Sequence, residues 1–130
     1  MKYQVVFKPF TERHYIKSFA KKYQGAWNKT LKSLTIEFTY VERLFEKTIA
    51  ETICVSADNS IKICKTEFKI LGTSVSRHAS GYRCVIAIHK ETNTVKVLLI
   101  YGKGDVSGKN ETAWWKNLVK DTYPEYRDIL

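Results

Sequence analysis

Apolar positions are densest between Tyr82 and Tyr101, where two alternating runs flank the polar stretch Glu91-Thr92-Asn93-Thr94. This pattern predicts two antiparallel strands joined by a turn, the first opening on Gly81-Tyr82-Arg83 and the second closing on Tyr101-Gly102-Lys103. Antiparallel partners sum to a constant, so a fold-back near residues 92 to 93 sets position 83 opposite positions 101 to 103. An Arg, a Tyr and a Lys are therefore expected together at one end of the hairpin. A period of two puts Arg83, Val85, Ala87 and His89 on one face and Tyr82, Cys84, Ile86 and Ile88 on the other, the second being the expected core face.

The remaining pattern supplies the elements around this hairpin. Tyr3 to Lys8 alternates as a short strand that Pro9 closes. Thr11 is the expected N-cap of a helix from Glu12 to about Tyr23, with Tyr15, Phe19 and Tyr23 on one stripe. Beyond Gly25, the spacing of Trp27, Leu31, Leu34, Phe38, Val41 and Phe45 predicts a second, long helix. Residues Thr52 to Val55 read either as a short strand or as the frayed end of that helix, and Asp58-Asn59-Ser60 is turn chemistry. A strand from Ile61 to Leu71 follows. Its apolar character changes face near Cys64, which is the signature of a bulge. The stretch Gly72 to Ser80 is a polar connection, and Asn110 is the expected N-cap of a last helix ending before Pro124, with Trp114 and Trp115 anchoring it to a sheet. The expected fold class is α+β: a small antiparallel-rich sheet of about four strands, two amino-terminal helices packed on it, and a carboxyl-terminal helix.

With 130 residues, 44% hydrophobic, the chain is expected to form one domain over residues 1–130 without disulfides. Cys54, Cys64 and Cys84 are odd in number and form no CxxC pair, so buried reduced thiols are expected and a metal site is not. No apolar run approaches the roughly 20 residues of a membrane span, and the opening Met1-Lys2-Tyr3-Gln4-Val5 goes straight into a strand pattern, so no membrane association and a cytoplasmic location are expected. The formal charge of +9 is uneven: residues 1–32 carry eight Lys or Arg against one acid, and residues 61–110 carry nine against three. Such segments suit a polyanion, RNA or DNA first, or an acidic protein partner. The alternative is charge that merely keeps the domain soluble.

Gly81-Tyr82-Arg83 opening a hydrophobic strand, the hairpin closing on VLLIYGKGDV through Tyr101-Gly102-Lys103, and the order of flanking helices resemble the RelE/ParE superfamily of bacterial toxins, in topology over most of the chain. The resemblance implies a RelE-like toxin of a toxin–antitoxin pair, an endoribonuclease that cleaves mRNA on the ribosome and thereby inhibits translation. Its implied partners are a cognate antitoxin, mRNA and the ribosome, and it implies no cofactor and no metal. Arg83 matches the arginine after Gly-Tyr, Lys103 the basic residue after the last strand, and Lys65 and Lys69 the lysines of the preceding strand, with Tyr101 nearby. The chain departs from the pattern in its longer Leu71 to Ser80 connection and in Gly104-Asp105, where further basic residues often stand.

The chemistry follows from the residue types. Cleaving RNA through its own 2′-hydroxyl needs a base, positive charge on the phosphorane and an acid for the leaving 5′-oxygen. Arg83 suits the phosphorane, since a guanidinium stays charged and grips two oxygens. Lys65 or Lys69, crowded by like charge, suits the base. Lys103 suits a second clamp, and Tyr101 the acid or a base-stacking platform. Arg77, His78 and Tyr82 are expected to contact RNA, His78 also being able to titrate near neutrality. Plainer roles stand beside these: an ion pair for Arg83, solvated charge for Lys65 and Lys69, core packing for Tyr101, an ordinary loop histidine for His78. Inhibition of a target such as DNA gyrase by binding, and a noncatalytic RNA-binding module, are the other readings at this stage.

Overall fold

The computed structural model describes residues 1–130. Its centre is a five-stranded sheet of order β1-β5-β4-β3-β2, built from β1 (Gln4–Phe7), β2 (Ala50–Val55), β3 (Ile61–Phe68), β4 (Tyr82–His89) and β5 (Thr94–Gly102). β1 runs parallel to β5 and every other pair is antiparallel. The strand number exceeds the expected four because residues 50–55 form a full edge strand rather than a frayed helix end.

The helices occupy both faces. On one lie α1 (residues 9–22), α2 (Ala26–Thr39) and α3 (Glu42–Glu46). Phe19, Trp27, Leu34, Phe38, Val41 and Leu44 from them pack on Cys64, Phe68, Cys84, Ile86, Ile88, Val97 and Ile100. On the other face α5 (Glu111–Thr122) and the segment after it bury Trp115, Val119, Tyr123 and Tyr126 against Ile63, Val85, Ala87, Leu99 and Tyr101. A one-turn helix, α4 (Arg77–Ser80), precedes β4. β4 is thus apolar on both sides, and the expectation of one core face is corrected to two, which is how a central strand between helical layers reads.

This explains the change of face in β3. The β3–β4 ladder is continuous from Ile61↔His89 to Phe68↔Tyr82, with no bulge in it. Ile61 and Ile63 face the α5 layer while Cys64, Phe68 and Ile70 face the other. The irregularity lies on the partner strand: Thr52 pairs with Cys64 and Cys54 with Ile63, leaving Ile53 extra.

Two helix expectations change. α1 begins at Pro9, with Lys8 as its cap, because proline at the first helical position loses no needed N–H; Thr11 therefore sits inside the helix. Its buried hydroxyl instead reaches the Val97 and Leu98 carbonyls of β5. The long helix breaks at Tyr40, whose φ of −115° leaves helical space, so Val41 and Phe45 belong to the approach and body of α3. Asn110 does cap α5, its Oδ1 accepting the Ala113 N–H at 3.0 Å, and the helix ends just before Tyr123-Pro124.

Candidate functional site

The candidate site gathers where β4 starts and β5 ends. Gly81 has a φ of +78°, a left-handed turn that L side chains rarely adopt, and it turns the chain from α4 into β4. Alternation then sends Tyr82 towards α1 and Arg83 towards α5. Arg83 pairs directly with Tyr101, within the range expected from the hairpin arithmetic.

That pairing depends on one residue. β4 and β5 lose register between Val85↔Leu99 and Ile86↔Val97, so Leu98 is the extra residue of a bulge. The bulge places Leu98 and Leu99 together in the α5-side core, between Val97 and Ile100 of the opposite core. Without it, Tyr101 would fall on the α1 side, because a one-residue slip exchanges the faces of a strand. The bulge is braced by Tyr123, whose hydroxyl donates to the Leu98 carbonyl at 2.8 Å, and by Thr11.

On the α5 face, Arg83 is only 3% exposed. Its guanidinium donates to the Tyr82 carbonyl at 3.0 Å and the His78 carbonyl at 3.4 Å, and lies 3.6 Å from Glu67 Oε1. Glu67 is its cross-strand partner on β3 and also meets His78 Nδ1 at 3.0 Å. Tyr101 is fully buried; its hydroxyl donates to Glu111 Oε2 at 2.9 Å and its ring meets Trp114 edge-on at 5.0 Å. Burial, then the Glu111 carboxylate, push the Tyr101 hydroxyl far above the ordinary phenol range, so it is a donor and not a phenolate. Lys65 Nζ approaches the same Glu111 oxygen at 3.5 Å. Arg83, Tyr101 and Lys65 thus stand on one face, Arg83 tied to Glu67 and the other two sharing Glu111, carboxylates that the sequence motifs did not single out.

Apart from His78, which its carbonyl and Glu67 join to Arg83, the other predicted residues lie outside this group. Lys69 falls beyond the end of β3 and its ammonium reaches the Thr73 carbonyl at 3.5 Å. Arg77 is tied bidentately to Glu37 of α2. Tyr82 and Lys103 belong to a cleft of about 380 Å³ on the opposite side of the sheet, between α1 and the β4–β5 end. His14, Ser18 and Lys22 of α1 line it with Gly81, Gly102 and Asp105. The π-helical turn Glu12–Ile16 carries His14 and Tyr15 to its wall. Tyr82 is locked there: its ring stacks on Phe68 at 5.5 Å, its hydroxyl meets that of Tyr23, and its edge lies where a Cβ on Gly102 would come within 3.0 Å. Asp105 accepts the Gly102 N–H at 2.8 Å and so shapes the turn that presents Lys103.

The charge balance of the two sides differs. All four ion pairs of the protein use Lys65, Arg77, His78 or Arg83, each with a glutamate, whereas His14, Lys22 and Lys103 take part in none. The signal for Glu67 was its alternation with Lys65 on β3; the signal for Lys22 was only membership of a lysine-rich helix, which places no side chain in a cleft. No three His, Cys, Asp or Glu side chains come together as a metal-binding group, and no helix is long and apolar enough to cross a membrane. Burial pushes the Cys64 thiol up to about 11, and all three cysteines are free.

No family model and no curated protein sequence matches the chain. Among solved structures, the chain is similar to one in the crystal structure of the archaeal RelE-RelB complex from Pyrococcus horikoshii OT3, with 14% sequence identity, a TM-score of 0.52, and coverage of 82% of this chain and 100% of that one. An α+β fold of the RelE type is what the five-stranded sheet and its helices share with that structure.

Proposed function

We propose that this chain is the toxin of a toxin–antitoxin pair that cleaves mRNA on the ribosome without a metal ion. The observation that carries the reading is the direct pairing of Arg83 with Tyr101 at the end of a RelE-like sheet, with Lys65 joined to Tyr101 through Glu111. In this scheme Arg83 stabilises the phosphorane and Tyr101, held protonated, supplies the leaving oxygen with its proton. Lys65 is the base: once it has left Glu111 and released a proton to solvent, its neutral amine takes the proton of the 2′-hydroxyl. The partner in the RelE-RelB complex motivates an antitoxin for this chain as well.

A second reading has its own support. Arg83 is buried, and both it and Lys65 already meet a carboxylate, so an entering phosphate must displace Glu67 from Arg83. A protein that arrests growth by binding its target through other surfaces fits that neutralised face. Purified protein is incubated with ribosomes programmed with a defined mRNA, and new 5′ ends are mapped for wild type and for Arg83→Ala shown to be folded. Cleavage that disappears in the variant supports the nuclease; growth arrest with intact mRNA moves the assignment to inhibition by binding.

A further inference from the structure

We infer that the cleft between α1 and the β4–β5 end binds the phosphate backbone of single-stranded RNA, with Lys22 and Lys103 as the clamps and the Tyr82 hydroxyl as a donor between them. The inference rests on the RNA-directed reading above but not on cleavage, and it concerns the side of the sheet away from Arg83 and Tyr101.

Three observations converge on it. The cleft holds His14, Lys22 and Lys103 against the single carboxylate of Asp105, and that carboxylate is already engaged by the Gly102 N–H. None of the three basic residues has an acidic partner, while every cation predicted for the opposite face except Lys69 does, so uncompensated positive charge faces solvent here. Lys22 is fully exposed, and the neighbouring Tyr82 and Tyr23 hydroxyls raise its pKa further, so it carries its charge at any physiological pH. Second, the walls are fixed. Lys103 N–H donates to the Gly81 carbonyl at 2.9 Å and its stem runs past Gly81, while Tyr82 is clamped by Phe68, Tyr23 and Gly102. Third, only three of the twelve lining residues are hydrophobic, so the floor offers little to the side chains of a peptide. A phosphate, with several acceptor oxygens, matches two ammonium groups and a hydroxyl donor.

The packing also limits what is read. The Tyr82 ring is already stacked on Phe68 and packed at steep angles against Phe19 at 5.3 Å and Tyr23 at 6.0 Å, so it is engaged in the aromatic cluster rather than offered to a base. The cleft therefore grips backbone and is indifferent to sequence. Lys17 and Lys21, exposed on the same helix, extend the positive track beyond the cleft.

The test is binding of a short fluorescein-labelled oligouridylate to the free protein, by anisotropy over a range of salt. Lys22→Gln and Lys103→Gln are each expected to weaken binding and to reduce the slope of log affinity against log salt by about 0.7, the single-strand value per phosphate contact. Tyr82→Phe keeps the ring and is expected to weaken binding about fivefold, as loss of one net hydrogen bond. Lys90→Gln, at the far end of β4, is the control for diffuse charge. An equal loss from Lys90→Gln, equal affinity for an oligoglutamate of the same charge, or no binding by wild type at low salt would each overturn the cleft assignment. Ribosome-dependent cleavage is a separate readout, so its absence would leave a positive binding result standing.

Discussion

Replacing Arg83 by Met removes a guanidinium that is 3% exposed and engaged with the Tyr82 carbonyl, the His78 carbonyl and Glu67. At the 3.6 Å separation from Glu67, an effective dielectric constant near 20 gives a gross attraction of about 4–5 kcal/mol. Desolvation of a buried guanidinium cancels most of that. Glu67 keeps about a quarter of its surface in water (26%), so once unpaired it re-solvates in part and also retains His78. The methionine stem refills much of the volume but leaves two carbonyls without their donor, at about 1 kcal/mol each. The expected net loss is about 2–3 kcal/mol in urea unfolding, with an unchanged m-value. In the double variant with Glu67→Gln, the coupling energy is expected at about 1–2 kcal/mol. A loss for Arg83→Met below about 0.5 kcal/mol, the level of an ordinary surface substitution, would refute this account and show that the guanidinium is free. The same numbers say why toxicity data on Arg83 variants need a folding control: a stability loss of this size alone changes protein abundance in cells.

Gly102→Ala is expected to cost about 1–3 kcal/mol, since its Cβ would meet Tyr82 Cε1 at 3.0 Å and Cδ1 at 3.1 Å, and near-ultraviolet circular dichroism should register the displaced aromatic cluster. Tyr101→Phe strands one side of the Glu111 carboxylate and is expected to lower stability by about 1–2 kcal/mol; equal stability in urea would show the bond contributes nothing. His89, half-buried and bonded through Nε2 to the Tyr126 hydroxyl at 2.8 Å, is held below its ordinary value of 6.5 by burial and then by Lys96 and Lys8. The unfolded chain therefore binds this proton more tightly, so stability should fall as pH drops through 6.5 towards the folded value, and His89→Gln should flatten that slope in urea titrations. Asp58, which accepts from Ser56, Ser60 Oγ and the Ser60 N–H, is lowered to about 2, and its carboxyl carbon followed by NMR should titrate there and move up in Ser60→Ala.

Local periodicity carried a large part of this fold. Alternation and turn residues defined the β4–β5 hairpin, side-chain geometry placed the α5 cap at Asn110, and the hairpin sum put Arg83 opposite positions 101 to 103 with Tyr101 among them. These are properties of neighbours in the chain, where the period of a strand or helix is written directly in residue order. Which face Tyr101 occupies was decided elsewhere. It turns on the extra residue Leu98, stabilised by hydroxyls from Thr11 and Tyr123, which arrive from opposite ends of the chain. Burial of both β4 faces required α5 to close over the second one, and the resulting low-dielectric layer is what ties Arg83 to Glu67 and Tyr101 to Glu111. The same register divided the predicted site residues, sending Arg83 and Lys65 to one face and Tyr82 and Lys103 into the cleft with Lys22. Residue order supplied the charges; the packing of non-neighbours decided which are neutralised and which remain free, because only tertiary contact brings a carboxylate within a few ångströms of a cation.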